Sequence, residues 1–249
     1  MMNNPLVTVV TVAYNSEGEI EKTIKSVLSQ SYKNIEYRIV DGGSKDRTVE
    51  MARSYEKEFG EKGIRYIITS EPDKGIYDAM NKGIRAAEGE FIGFINAGDM
   101  YESCAVETAV DAYEETGFDY FFADIKLVRA NGSFVIKRSK KDHFVTSRHW
   151  NHPTSFVTKR TYDELGMFRC RGIHDDFEFY LRCRKSGRNI VIVNKVLAEF
   201  VTGGASNEKS FKKAIGRIKD RYECYRTNGY SPFYMIECIA IEAAKMLMV

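Results

Sequence analysis

No apolar run in this 249-residue chain approaches the roughly eighteen residues that a bilayer-crossing helix needs. Residues 1–5 carry no basic segment leading into an apolar core, so no signal peptide is expected. Cysteine is scarce: Cys104, Cys170, Cys183, Cys224 and Cys238 make five, an odd number with no CxxC spacing. That excludes a zinc ribbon and a disulfide framework and points to a reducing, cytoplasmic compartment. The strand-to-helix turns hold neither GxGxxG nor GxxxxGK[ST], so the nicotinamide dinucleotide fingerprint and the P-loop are absent. Tryptophan occurs once, at Trp150, with no zinc module or stacking motif beside it, and nucleic acid is not an expected partner. What remains, 43% hydrophobic and 29% charged residues, is the composition of a soluble globular chain with room for a sizeable core.

The net charge of +2 conceals an asymmetry. Residues 1–124 hold 13 Lys and Arg against 23 Asp and Glu, a net of −10, whereas residues 125–249 hold 24 against 12, a net of +12. A basic second half suits an anionic partner, and composition does not choose between a phosphate, a lipid headgroup and a nucleic acid.

Hydrophobic patterning alternates strand and helix through the first hundred residues. Residues 6–14, LVTVVTVAY, read as a strand buried on both faces. A helix over 17–30 follows, with Ile20, Ile24, Val27 and Leu28 at helical spacing. The pattern continues with strand 36–40, helix 46–59, strand 64–69, helix 75–87 and strand 90–95. Such repeats predict a doubly wound α/β sheet, whose ligands sit at the carboxyl ends of the strands. Beyond residue 100 the chain predicts a helix over 103–115, a hairpin of 120–128 with 133–137, and a polar loop over 140–153. It then predicts a helix over 175–186, short strands at 190–193 and 196–201, and helices over 208–226 and 232–249. Neither repeats nor a low-complexity linker interrupt it. One domain with two functional halves, 1–100 and 101–205, and C-terminal helices over 206–249 is the expected organisation.

Every chemically unusual turn lies at a strand's carboxyl end. Asp41 precedes Gly42-Gly43, and either caps a tight turn or hydrogen-bonds a base or ribose. Asp99, in Asn96-Ala97-Gly98-Asp99, is either structural or a ligand of a hard divalent cation that bridges phosphates. Asp175, Asp176 and Glu178 open a helix, where the macrodipole favours acids; they also suit a general base, and paired acids occur in glycosidases. His143, His149 and His174 lack metal-ligand spacing and read as loop or surface residues. Met167-Phe168 and the Phe177, Phe179, Tyr180 cluster read as core, whereas Tyr14 is the aromatic placed for a ligand.

Taken in order, VTVVTVAYN, IVDGGSKDRT and SEPDKGIYDAMNKGIRAAEGEFIGFINAGD closely resemble the family 2 glycosyltransferases, which have the GT-A fold and use nucleotide-sugars. NHPTSF (151–156), HDDFEFYLR (174–182) and TGGAS (202–206) extend the likeness over residues 5–205. The resemblance implies that Thr11, Ala13, Tyr14 and Asn15 line a nucleotide pocket and that Asp41 reads the base, usually uracil. It implies that Glu71, Asp73, Asp78, Asn81 and Lys82 border the ribose and sugar. Asp99 matches the last acid of the family's metal-binding motif for Mn²⁺ or Mg²⁺, with Asn96 in place of the first and Ala97 and Gly98 between them. Asp176 matches the catalytic base, Asp175 stands where the family has Glu, and His152 with Gly203 and Gly204 would lie near the pyrophosphate. The implied reaction is a single inverting displacement: a carboxylate takes the acceptor hydroxyl's proton as its oxygen attacks C1, on a glycan or lipid-diphosphate-linked acceptor in surface polysaccharide synthesis.

Two other classes share parts of this pattern. A sugar nucleotidyltransferase would carry a Gly-rich basic loop after the first strand, where Asn15-Ser16-Glu17-Gly18-Glu19 is acidic. A non-catalytic nucleotide-sugar-binding scaffold would keep the pocket and lose the base. At the C-terminus, the charges of 232–249 (Glu237, Glu242 and Lys245) fall within about 140° of a helical wheel, and the preceding helix is rich in Lys and Arg. That pair suits peripheral docking on an anionic membrane surface, or packing on the domain or on a second copy in a homodimer.

Overall fold

In β1 (Val7–Ala13) and β2 (Ile35–Asp41) every residue is buried, as expected of the β-branched run in β1, whereas β2 buries Glu36 and Arg38 as an ion pair at 2.7 Å. The computed structural model describes residues 4–129, 131–141, 143–201 and 210–247. β1 pairs in parallel with β2 on one side and with β4 (Phe91–Phe94) on the other, and β3 (Arg65–Ser70) adds in parallel to β2. The intervening helices are α1 (Ile20–Leu28), α2 (Thr48–Arg53), α3 (Glu56–Glu61) and α4 (Ile76–Ala86). The single helix expected over 46–59 is thus two. Tyr55, at the break, buries its ring and donates its hydroxyl to Glu21 Oε1 at 2.7 Å, a tertiary contact that overrides helical continuity.

The second half mixes strand directions. β8 (Phe156–Thr158) runs antiparallel to β4, and β6 (Tyr120–Val128) antiparallel to β8. β9 (Ile190–Val201) lies parallel to β6, with the short β5 (Met100–Tyr101) at its far edge and β7 (Phe134–Lys137) forming the expected hairpin with β6. The path is therefore β3-β2-β1-β4-β8-β6-β9-β5. The two strands expected at 190–193 and 196–201 are one, bulged where its register on β6 shifts around Asp124. Buried Asp124 explains the bulge by taking Ser139 N (2.6 Å), Arg138 (2.8 Å) and Asn194 Nδ2 (3.1 Å). β5 and β8 were not expected, because two- and three-residue strands carry no readable period, and neither was the seven-residue α6 (Lys159–Leu165). The loop expected over 140–153 contains two 3₁₀ turns, Ser147–His149 and His152–Thr154.

Alternate residues of β1 serve two cores. Val7 and Val9 pack with α1, α2, α3 and α5 (Ala105–Thr116), while Val10 and Val12 pack with α4 and α7 (Asp175–Lys185). Helices on both faces make the sheet doubly wound. The second core also takes Cys224 and Tyr225 from α8 (Phe211–Thr227) and Tyr234 and Cys238 from α9 (Tyr234–Leu247). Phe168, Phe177, Phe179 and Tyr180 are core, as expected. The orientation of α9 is unusual. Its charged sector faces inward, Glu242 being 1% exposed and Glu237 accepting from Thr146 and Tyr225, while Phe233 just before it and Ile236 and Ile239 on it are 78%, 67% and 50% exposed.

Candidate active site

The turns after β1, β2 and β3 meet at one edge of the sheet. Asn15 adopts a left-handed conformation (φ 48°), which lets its backbone N–H donate to Ser44 Oγ (2.8 Å) and its Oδ1 accept from Lys45 N (2.9 Å). Asp41 is fully buried. Its Oδ2 accepts from Gly43 N (3.0 Å), Ser44 N (2.9 Å) and Ser70 Oγ (2.6 Å), and its Oδ1 accepts from the Ser44 hydroxyl. The side chain therefore caps its own turn, the alternative the sequence left open. Gly42 is needed here for close approach: a Cβ would stand 2.4 Å from Asp73 Oδ2 and 3.3 Å from the Tyr14 ring. Tyr14 is 63% exposed at this edge, with Asp73 half-buried beside Gly42. Thr11 lies inside the sheet with its hydroxyl 3.0 Å from that of Tyr37, and Ala13 is buried beside it.

The trio on α4 divides. Asp78 accepts from Lys74 N (3.0 Å), and Lys82 ties down the preceding loop through Pro72 O (2.7 Å) and Glu71 (2.9 Å). Asn81 points inward instead and grips Phe168, donating to its carbonyl at 2.8 Å and accepting from its N–H at 3.0 Å. Helical spacing placed all three on one side without saying which would meet a neighbouring segment.

After β4, Asn96 to Asp99 form a tight turn that requires Gly98 at φ 103°. Buried Thr23 on α1 staples it, accepting from Gly98 N (2.9 Å) and donating to Asp99 O (2.7 Å). Burial pushes the Asp99 carboxyl up to about 7, and nearby Glu19 adds to the rise against the pull of Lys22. Asn96 Oδ1 is buried with no hydrogen-bond partner. Among the described residues no three His, Cys, Asp or Glu side chains cluster as a metal site. Asp99 with the orphan amide oxygen of Asn96, and Glu19 against the same turn, still form an oxygen-rich corner fit for a hard cation whose other ligands come from phosphates and water.

At the N-terminus of α7 the two aspartates part. Asp176 Oδ1 accepts from the Tyr77 hydroxyl (2.9 Å) and from Phe177 N (2.7 Å), whereas Oδ2 faces open space with His152 Nδ1 3.9 Å away. Burial lowers His152 below the ordinary imidazole value, against the influence of Asp176, and its Nε2 is unpartnered. Asp175 does not line the cleft that Asp176 lines and accepts from Arg171 N at 2.6 Å, which shapes the loop before α7. Glu178 is held by Arg182 (2.9 Å) and Asn228 (2.9 Å).

Asn96, Ala97, Gly98, Asp99, His152 and Asp176 share one cleft of about 730 Å³. Thr11, Tyr14, Asn15, Asp41, Glu71, Asp73, Asp78, Asn81, Lys82 and Asp175 do not line it, and Gly203 and Gly204 lie outside the described residues. The sequence reading missed Glu19, Tyr77, Lys137, Arg221 and Lys245, which also line the cleft. Tyr77 carried one signal, its place on the α4 segment beside Asp78. His174 lies in the loop before α7, as expected, half-buried and bridging Asp220 (2.7 Å) and Arg221 (2.9 Å) two residues from Asp176. Trp150 is buried, stacks on Tyr180 and donates to the Tyr120 hydroxyl at 3.0 Å.

The chain is similar to known transferases over nearly its whole length. It is 30% identical over 235 residues to an uncharacterized glycosyltransferase of Mycobacterium tuberculosis, covering 91% of this chain and 86% of that one. It is 27% identical over 228 residues to a PGL/p-HBAD biosynthesis glycosyltransferase of the same organism, covering 87% and 85%. Among solved structures, S. aureus TarS 1–349 with UDP-GlcNAc aligns with a TM-score of 0.71 at 18% identity, over 96% of this chain and 72% of that one. The mannosyltransferase PcManGT of Pyrobaculum calidifontis with GDP-Man and Mn²⁺ aligns at 0.70 and 15%, over 97% and 74%. At such identities the structural likeness carries the fold, and that fold is GT-A. The family model described as Glycosyl transferase family 2 matches residues 8–174, more than half the chain, and this protein belongs to that family.

Proposed function

We propose that this protein is an inverting hexosyl- or N-acetylhexosaminyltransferase that moves the sugar of a UDP-sugar to a hydroxyl of a glycan or lipid-linked acceptor in surface polysaccharide synthesis. The observation that carries the reading is Asp176: one oxygen is pinned by Tyr77 and Phe177 N, and the other is free in the cleft that holds Asp99 and Asn96. A base so oriented takes a hydroxyl proton as the oxygen attacks C1, and needs no partner acid of the kind a glycosidase uses. Neighbours solved with UDP-GlcNAc and GDP-Man support a nucleotide-sugar donor, and the relative named for PGL/p-HBAD biosynthesis supports a biosynthetic role.

In this reading Tyr14 and Asp73, at the sheet edge, border the nucleoside, and the Asn96–Asp99 corner takes the diphosphate. Asp41 supports this pocket by shaping the Gly42-Gly43 turn. Asp99, with Asn96 and Glu19 nearby, would hold Mn²⁺ or Mg²⁺, which when bound neutralises charge on the departing nucleoside diphosphate. Residues 1–100 serve the donor, and the later strands with α7, α8 and α9 serve the acceptor. Among the described residues no helix is long and apolar enough to cross a membrane. The outward apolar row of α9 supports a peripheral position on the cytoplasmic face, with a homodimer contact as the competing use. Thermal shift with UDP-, GDP- and dTDP-sugars plus Mn²⁺, followed by nucleoside diphosphate release, tests the reading. If no donor raises the melting temperature or is turned over, the reading fails.

A further inference from the structure

His152 enters the cleft with one nitrogen closed to it. Its side chain is 12% exposed and lines the cleft, yet Nε2 is buried with no hydrogen-bond partner. Phe94 stacks on the ring at 6.0 Å, and Trp150 and Phe168 pack at 5.9 and 6.4 Å. The polar edge left to the cleft is therefore Nδ1, which lies 3.9 Å from Asp176 Oδ2. Asp176 is the charge that acts on the ring. Lys137 also feels that carboxylate, but its ammonium is held by the carbonyls of Ser147 (3.1 Å) and Trp150 (2.6 Å).

These surroundings choose the tautomer. A buried N–H without an acceptor is a rarer and costlier orphan than a lone pair without a donor. The imidazole proton thus belongs on Nδ1, where the carboxylate favours it, and Nε2 keeps the bare lone pair. A second proton would sit on Nε2 with nothing to accept it, so the ring stays neutral.

Nδ1 and Oδ2 stand too far apart to bond each other and close enough to share one oxygen. With ordinary contacts of about 2.7 Å to Oδ2 and about 2.9 Å to Nδ1, the angle at that oxygen is about 90°. Such an oxygen donates to one side and accepts from the other, as a hydroxyl does. We propose that His152 Nδ1–H and Asp176 Oδ2 together hold the acceptor's hydroxyl, the first donating to its oxygen and the second accepting its proton. This rests on the transferase reading for its purpose, and it moves His152 from the pyrophosphate to the acceptor. As the oxygen attacks C1, its proton passes to Oδ2, and the bond from C1 to the diphosphate breaks with its electron pair leaving on the diphosphate. The Nδ1–H bond stays intact, so the ring orients the nucleophile and exchanges no proton.

The test reads the tautomer first and the N–H second. In full-length protein carrying isotope-labelled histidine, nuclear magnetic resonance should show the His152 ring, assigned by its loss in His152→Asn, neutral and protonated on Nδ1 at about pH 7.5. Transfer to methanol from whichever nucleotide-sugar stabilises the protein is then measured as methyl glycoside. His152→Asn keeps an N–H where Nδ1 stands, whereas His152→Gln carries its amide to the place of Nε2. Both lose the stacking on Phe94, so the difference between them reads the N–H alone. His152→Gln should lower kcat/KM for methanol about tenfold and His152→Asn less than about threefold, with the nucleotide-sugar KM unchanged in both. Circular dichroism confirms that each is folded. A proton on Nε2, an imidazolium at that pH, equal methanol kinetics in the two variants, or a raised nucleotide-sugar KM would each overturn the pair. If no nucleotide-sugar is turned over while the ring is protonated on Nδ1, the transferase reading alone falls.

Discussion

Tyr77 and Asp176, ninety-nine positions apart, meet where the phenol donates to Oδ1 at 2.9 Å. Burial and then the adjacent Asp176 raise the phenol well above its ordinary value, so it stays a donor at any working pH. The bond leaves Asp176 Oδ2 to the cleft. Tyr77→Phe keeps the ring against Phe168 and removes this bond together with the hydroxyl's 3.0 Å contact to the Ile173 carbonyl. We expect kcat to fall about tenfold with the donor KM unchanged, in line with one lost hydrogen bond to a charged group. A wild-type kcat would show that the α7 backbone alone orients the base.

Exchanging the two neighbouring acids should separate chemistry from stability. Asp176→Asn should cut transfer by about 10²-fold or more while leaving UDP affinity intact. Asp175→Asn should instead lower stability by about 1–3 kcal/mol, because it weakens the acceptor for Arg171 N, and should leave turnover per folded molecule near wild type. Denaturation midpoints and initial rates on the same preparations decide between these assignments.

The Asn96–Asp99 corner makes a metal prediction. Asp99→Ala should weaken binding of UDP with Mn²⁺ much more than binding of uridine, because a cation held at this corner would neutralise the diphosphate that uridine lacks. Calorimetric titration of both ligands measures this. If EDTA leaves wild-type transfer untouched, basic side chains carry the leaving group.

Lys137 sets a pH dependence whose sign can be worked out. Its folded value of about 8 lies below the ordinary 10.5, so between those pH values the unfolded chain binds a proton that the folded chain has shed. Stability from this residue therefore rises with pH across that window, and the burial penalty is complete below it. Lys137→Met should be stabilised relative to wild type at pH 7, with the gap narrowing by pH 10. Paired chemical denaturation curves at the two pH values check the direction.

The inside-out α9 predicts where the protein docks. Full-length protein should float with anionic liposomes, and the triple variant Phe233→Ser, Ile236→Ser, Ile239→Ser should not. Truncating at residue 230 is a poor test, since Tyr234 and Cys238 are core residues and their loss would unfold the face they pack on. Equal failure of both proteins to float, with a concentration-dependent dimer in the wild type alone, would assign the row to a second copy.

Short-range patterns made much of the first half legible. The buried run of β1 and the alternation of strands and helices dictated the doubly wound sheet. The Gly-flexed turns marked the strand ends, and Asp99 and Asp176, singled out from their motifs, line one cleft. Local pattern failed where a distant contact decides the outcome, as when Tyr55 breaks a helix to reach Glu21 or Asp124 bulges β9 by gathering Arg138, Ser139 and Asn194.

By itself the sequence determined which residue types stand at the turns, because hydrophobic period and glycine position act within a few neighbours along the chain. Only the tertiary structure decided what each side chain does. It spent Asp41 and Asp175 on their own loops, turned Asn81 onto Phe168, and left Asp176 one oxygen free. It also drew Lys137, Arg221 and Lys245 to one wall from three separate elements. Hydrogen-bond saturation and charge balance depend on distances across the fold, which residue spacing does not encode.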